Sequence, residues 1–203
     1  MPQLGEWVLQ RACLDATAWP SDVKVSVNIS ATQFRKGNLF DVVLCSLVDS
    51  GLSPDRLELE IGDSVLLEAD RGSILATIRQ LSNLGVSIAL DGCGAAYAAI
   101  GSGLPFGKIK IDRHVVQGLR TRRDCTAVLA SVGALAKHLD VTMAAKGVET
   151  CEQFEGLVAA GVDVAQGHLF GKPVLLAALD FQAVSWPGMA DFTAAALLRS
   201  SGR

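Results

Sequence analysis

Apolar positions along the chain follow two alternating rhythms. Short runs of period two predict strands: Val25-Ser-Val-Asn-Ile29, Leu57-Glu-Leu-Glu-Ile61, Val86-Ser-Ile-Ala-Leu90, Lys108-Ile-Lys-Ile111, Val141-Thr-Met-Ala-Ala145, and a weaker one over Val164-Ala-Gln166. Longer stretches of helical spacing lie between them, at Leu39 to Val48, Asp70 to Leu84, Thr126 to Leu139 and Cys151 to Ala160. A first helix precedes the first strand, with Leu4, Trp7, Val8, Leu9 and Cys13 recurring at helical spacing. Alternating strand and helix predicts a parallel sheet with right-handed crossovers. No Pro/Ser-rich linker divides the chain, so one domain is expected over residues 1–175, followed by a helical or loose tail over 176–203.

The alternation also separates two strand faces. One carries Val25, Val27, Ile29, Leu57, Leu59, Ile61, Val86, Ile88, Leu90, Ile109 and Ile111; the other carries Ser26, Asn28, Glu58, Glu60, Ser87, Asp91, Lys108, Lys110 and Asp112. A doubly wound sheet has helices on both faces and needs both to be apolar. With one polar face, a (β/α) barrel fits better: apolar side chains outward against helices, polar ones inward and gathered at the C-terminal strand ends.

Composition narrows the function classes. Half of the 203 residues are hydrophobic and 19% are charged, which excludes wholesale disorder. Eighteen Lys and Arg stand against 21 Asp and Glu, and aromatics make up 5%, so neither a basic nucleic-acid groove nor a base-stacking platform is expected. The five cysteines, at 13, 45, 93, 125 and 151, are odd in number and contain no Cys-x-x-Cys pair. A reduced, cytoplasmic setting is the expectation. Residues 1–10 include Glu6 and no basic apolar run, so no signal peptide is expected. No apolar stretch reaches the roughly 18 residues of a membrane span.

The C-terminal strand ends read in order Asn28, Glu60, Asp91, Lys110 with Asp112, Lys146 with Glu149, and Gln166. Several oxygen donors and a lysine at one barrel mouth have the make-up of a Mg²⁺ or Mn²⁺ site that polarises a phosphate. An ion pair between Lys110 and Asp112, two residues apart on one face, is an equally good reading of those two. For His168, packing is the default, and His114 and His138 read as helix-surface residues.

Six segments carry a family resemblance. Val25-Ser-Val-Asn-Ile-Ser30, Leu57-Glu-Leu-Glu-Ile61, Ala89-Leu-Asp91, Lys110-Ile-Asp-Arg113, Lys146-Gly-Val-Glu-Thr150 and Gln166-Gly-His-Leu-Phe170 resemble, in order and approximate spacing, successive motifs of the EAL domain, the bacterial cyclic di-GMP phosphodiesterases. The resemblance covers roughly Leu4 to Pro173. It implies a TIM-like (β/α) barrel and a reaction in which two metals activate a water that opens cyclic di-GMP to linear pGpG. It implies metal ligation by Asn28, Glu60 and Asp91. Lys110 would hold the attacked phosphate or the water. Asp112 and Glu149 would support the metal site, and Gln166 would contact metal-bound water or ligand. Asp63 stands where the family's loop glutamate sits.

The sequence also departs from that pattern. The Glu-Ala-Leu strand and the family's first two strands, about 50 residues of a barrel of about 250, have no counterpart, which predicts about six of eight strands. The family's paired aspartates read Asp91-Gly92, and the loop that follows reads Cys93-Gly-Ala-Ala-Tyr97. The glutamate that the resemblance assigns as general base or bridging ligand is Lys146. A lysine there opposes a cation by roughly 4 kcal/mol at 4 Å and an effective dielectric of about 20. The resemblance therefore points to a degenerate EAL domain that binds cyclic di-GMP or a signalling protein with little or no hydrolysis. The alternatives are an active or partner-completed phosphodiesterase and a folded fragment with no ligand role. Tightly bound Mg or Mn is not expected, whereas a homo-oligomer, paired through open strand edges, is.

Overall fold

The fold was analysed in a computed structural model, which describes residues 2–66, 68, 70–92, 103, 105–119, 121–179 and 181. The Cys93 to Tyr97 loop and the tail over residues 182–203 lie outside the described residues. Two compact units divide the chain, residues 1–107 and 108–203, and each is a run of strands and helices in chain order.

The first unit contains α1 (Pro2–Ala16), β1 (Val25–Ile29), α2 (Ala31–Arg35), α3 (Leu39–Ser50), β2 (Leu57–Gly62), α4 (Asp63–Leu66), α5 (Arg71–Asn83) and β3 (Ser87–Asp91). β1 pairs in parallel with β2 at Val25–Leu57 through Ile29–Ile61, and β2 with β3 at Glu58–Ser87 through Gly62–Asp91. In β1 burial alternates: Val25, Val27 and Ile29 are buried, Ser26 and Asn28 exposed. The buried side of β1 and β2 meets Leu9, Cys13 and Ala16 of α1, Val43 and Leu47 of α3, and Ile78 and Leu81 of α5. These helix residues recur at three, four or seven positions, the spacing that puts side chains on one stripe.

The buried ridge of α1 differs from the expected one. Leu9 and Cys13 are buried as anticipated, but Leu4, Trp7 and Val8 are exposed and Ala16 completes the ridge. The physical reason is the tight seating of α1 against α2. A Cβ at Gly5 would lie 2.7 Å from Gln33 Nε2. The C-terminal end of α1 is held by Arg56, just before β2. Its guanidinium donates to the carbonyl oxygens of Ala16 (2.8 Å), Pro20 (3.0 Å) and Val23 (3.0 Å). Carbonyls at a helix end have no intrahelical partner, and a cation there is doubly favourable.

The second unit contains β4 (Lys108–Ile111), α6 (Arg113–Gly118), α7 (Arg123–Leu139), β5 (Thr142–Lys146), α8 (Cys151–Ala159) and β6 (Val164–Gln166). β4 pairs in parallel with β5 at Lys108–Thr142 through Ile111–Ala145, and β5 with β6 at Ala144–Val164 through Lys146–Gln166. Ile109, Ile111, Val116, Leu129, Val132, Met143, Ala145, Val148 and Leu157 are buried in it. Six strands are thus formed among the described residues. Their bounds fall within one residue of the sequence expectation, and the four long helices within three. The short helices α2, α4 and α6 directly follow strand ends and were not anticipated, since four to six residues are too few to display a helical period.

Candidate functional site

In the first unit the polar strand positions form a graded column. Glu58 and Glu60 are buried, at 6% and 7% exposure. Ser26 explains how β2 tolerates them: its hydroxyl lies 2.6 Å from Glu60 Oε1 and 3.1 Å from Glu58 Oε1. Buried carboxylates need such partners. Asn28 is the register neighbour of Glu60, one step nearer the C-terminal end than Ser26 is, and Asp91 is level with Gly62. Asn28 and Glu60 are thus level on neighbouring strands, and Asp91 lies further toward the same C-terminal end. Asp63 opens α4 directly after β2; its side chain lies outside the described ones. Gly92, next to Asp91, has φ of +117°, a backbone conformation that side-chain-bearing residues rarely adopt.

In the second unit, Lys110 is buried at 6% exposure, and its Nζ lies 3.5 Å from Gln166 Oε1. Asp112 has a different role from pairing with Lys110. Its Oδ1 accepts from the His114 backbone N–H at 2.9 Å and caps α6, the usual use of an aspartate at a helix start. Lys146 ends β5 level with Gln166. Glu149 is solvent-facing and its Oε1 accepts from Arg113 at 3.1 Å. His168 is exposed, and Leu169 takes the packing position beside it. His114 and His138 lie on helix surfaces, as expected.

Two local devices fix this end of the unit. Thr150 caps α8 by accepting from Gln153 N–H (3.3 Å), and Gln153 Oε1 accepts in return from the N–H groups of Glu149 (2.8 Å) and Thr150 (3.2 Å). The loops after β5 and β6 are tied by Val148 N–H donating to Gln166 O (3.1 Å) and Leu169 N–H donating to Val148 O (3.0 Å). Between them opens a cavity of about 520 Å³, lined among others by Arg113, Lys146, Glu149, Gln166, His168 and Lys172. Arg113 and Lys172 were not singled out in the sequence. The only available signal was the motif Lys110-Ile-Asp-Arg113, in which Arg113 follows the two residues that drew attention.

A divalent cation needs several oxygen donors converging on one point. At its strand ends the second unit offers two ammonium groups, Lys110 and Lys146, and the amide of Gln166. Among the described residues no three His, Cys, Asp or Glu side chains cluster closely enough to hold an ion. The described donors do not fit the metal that the resemblance implies. Among the described residues no helix is long and apolar enough to cross a membrane.

Comparison with known proteins places these observations in a family context. The EAL domain model matches residues 1–173. An uncharacterized protein, y4lL, of Sinorhizobium fredii is 41% identical over 173 residues, covering 84% of this chain and 21% of that protein. The bifunctional diguanylate cyclase/cyclic di-GMP phosphodiesterase MucR of Pseudomonas aeruginosa is 35% identical over 178 residues, covering 85% of this chain and 26% of MucR. The chain thus spans about a quarter or less of the length of these relatives. The solved cyclic di-GMP complex of the PaMucR phosphodiesterase superposes with a TM-score of 0.75 at 34% identity, covering 85% of this chain and 72% of that one. The manganese/cyclic di-GMP complex of Klebsiella pneumoniae BlrP1 has a TM-score of 0.73 at 24% identity, covering 86% of this chain and 45% of that one, a likeness of fold. The fold is that of the EAL-type (β/α) barrel, of which the described residues supply six strands.

Proposed function

Because the chain belongs to the EAL domain family, we propose that it is a degenerate member that binds cyclic di-GMP, or a signalling protein, with little or no hydrolysis. The observation that carries this reading is Lys146. It ends β5 level with Gln166, at the position where the family resemblance assigns a carboxylate to proton transfer or metal bridging. An ammonium group can do neither: it is a donor without a lone pair when charged, and it opposes a nearby cation. Gly92 removes a second carboxylate. The cyclic di-GMP complex of PaMucR supports the ligand class.

In this reading Asn28, Glu60 and Asp91 are remnants of a metal-ligand set, Mg²⁺ or Mn²⁺ binds weakly at most, and Lys110, Gln166 and Asp63 are ligand contacts. Asp112 and Glu149 act on helix and loop order: the first caps α6, the second holds Arg113. The barrel domain takes residues 1–175 and the remainder is an appended tail. Cytoplasmic action follows from the ligand class and fits the four free thiols, Cys13, Cys45, Cys125 and Cys151, found among the described cysteines. Among the described residues β1 pairs only with β2, and β6 only with β5, which supports assembly with a second copy through an open edge.

Calorimetric titration with cyclic di-GMP and a pGpG assay in Mn²⁺ test the proposal. Binding without product supports it. Product formation favours the phosphodiesterase reading, and neither binding nor product favours a fragment without a ligand role. A concentration-independent monomer mass in light scattering would remove the assembly clause.

A further inference from the structure

Helix α1 is apolar on two sides. Leu9, Cys13 and Ala16 form the buried ridge. On the opposite side Leu4, Trp7 and Leu14 are each more than half exposed, with Val8 exposed beside them. Exposed apolar side chains scattered singly need no explanation. These are not scattered. Leu4, Trp7, Arg11, Leu14 and then Ala18 follow one another at steps of three, four, three and four residues. That is the heptad spacing by which one helix presents a seam of side chains to another. α1 has 15 residues, about four turns, so the seam runs its whole length. Ala18 stands in the turn that continues the helix, where the N–H groups of Thr17 and Ala18 donate to the Leu14 and Asp15 carbonyls at 3.3 Å.

The charges on this face limit what can cover it. Arg11 sits in the middle of the seam and holds Asp15 one turn further on, Nε to Oδ2 and Nη2 to Oδ1, both at 2.9 Å. The face thus carries one cation and one anion a turn apart, flanked by apolar side chains. A partner helix of one charge sign would leave one of the two unmatched. The same face reversed matches both, which is the self-complementarity that a twofold contact requires. In an antiparallel pair with its axis between Ala12 and Cys13, position 11 of one helix meets position 14 of the other, and position 7 meets position 18. The Arg11 stem then lies on Leu14 of the second copy, one position from that copy's Asp15, and the bulk of Trp7 meets the small Ala18. A parallel pair would set Arg11 against Arg11 and Trp7 against Trp7, and would gain neither match.

We propose that a second copy of this chain docks on the exposed face of α1, as an antiparallel α1–α1 pair whose twofold axis passes between Ala12 and Cys13. Trp7 and Leu14 are its apolar anchors, and Arg11 and Asp15 set its direction. The contact is made by side chains and is distinct from pairing through an open strand edge. It does not rest on whether cyclic di-GMP binds.

The test is sedimentation equilibrium of the full chain over a range of concentrations, with circular dichroism as the folding control. The parent is expected to form a dimer that dissociates on dilution. Trp7→Ala and Leu14→Glu should each raise its dissociation constant about tenfold or more, since one removes an aromatic anchor and the other charges the seam. Arg11→Asp places two anions a turn apart on each face and should also weaken the dimer. Adding Asp15→Arg to it restores one charge of each sign, and the dimer should return toward parental strength. A parent dimer that Trp7→Ala and Leu14→Glu leave intact overturns the α1 contact and leaves strand-edge assembly standing. Loss of the dimer in Arg11→Asp without recovery in the double variant overturns the antiparallel pairing. A parent that stays monomeric at every concentration overturns both the α1 contact and strand-edge assembly.

Discussion

Gly167 lies so close to Val148 that a Cβ on it would be 2.1 Å from the Val148 carbonyl oxygen and 2.3 Å from its nitrogen. The neighbours are backbone, so they cannot swing aside as the end of a side chain would. Gly167→Ala should therefore push apart the loops after β5 and β6, lowering stability by about 2 kcal/mol, the middle of the range for overpacking. It should also weaken any ligand held in the cavity between them. Thermal denaturation reads the first effect. An unchanged melting temperature would show that the two loops are free to separate.

Restoring two carboxylates is expected not to restore catalysis. In Gly92→Asp with Lys146→Glu, the new aspartate must adopt φ of +117°, a strained conformation costing about 1–3 kcal/mol, or reshape the strand end. The new glutamate replaces a cation by an anion in the cavity that Glu149 also lines, and like charges there disfavour the ionised forms. A lower melting temperature, partly recovered by Mn²⁺, and no pGpG are the expected results. Clear turnover in the pGpG assay would mean that these two positions were the whole defect.

Much of this was legible in the sequence because period-two alternation writes both the strand and its polar face. Ser26, Asn28, Glu58, Glu60 and Lys110 could be assigned to one strand face, and Lys146 to a strand end, from the pattern alone. Partners across that side could not be read. Ser26 as the hydroxyl facing both Glu58 and Glu60 depends on strand register, which the sequence does not write. Asp112 looked like a partner for Lys110 by spacing, yet the turn into α6 takes its carboxylate as a cap. Arg113 and Lys172 reach the cavity from α6 and from a loop, elements whose geometry carries no periodic signal.

Arg56 gives a sharper case of a long-range role invisible to pattern. It holds three carbonyls at and beyond the end of α1. Arg56→Ala leaves the Ala16 and Pro20 carbonyls with only the Trp19 and Val23 N–H groups and should cost about 2 kcal/mol, the range for a hydrogen bond to a charged group. Arg56→Lys should recover only part, since one ammonium cannot reproduce the planar fork. Urea denaturation of the three proteins tests the ranking. Equal midpoints for all three would mean the carbonyls are satisfied otherwise.

Cys13 ties stability to alkaline pH. Burial pushes its thiol up to about 11. The folded state thus keeps the proton to higher pH than the unfolded chain, whose thiol ionises near 8.5. The sign is that stability is full below about 8.5 and declines as pH rises toward 11, by up to roughly 1.4 kcal/mol per unit from this group. Cys13→Ser should flatten that part of the stability–pH curve. In native protein, a thiol reagent at pH 8 should label the exposed Cys45 well before Cys13. Early loss of both thiols would contradict the burial.

In both units each strand is hydrogen-bonded to the strand that precedes or follows it in the sequence, with a helix between. Such an architecture is modular in the way a stacked array is: a pairing depends on adjacent segments, and none of the four ladders waits for the chain's two ends to meet. Folding can then proceed by accretion, one strand–helix pair docking on the last. A lineage can shed or acquire terminal pairs while the remaining ladders keep their register. A chemical site distributed over all the strand ends has no such tolerance. Groups at the rim of such a scaffold can be exchanged without disturbing the ladders beneath them.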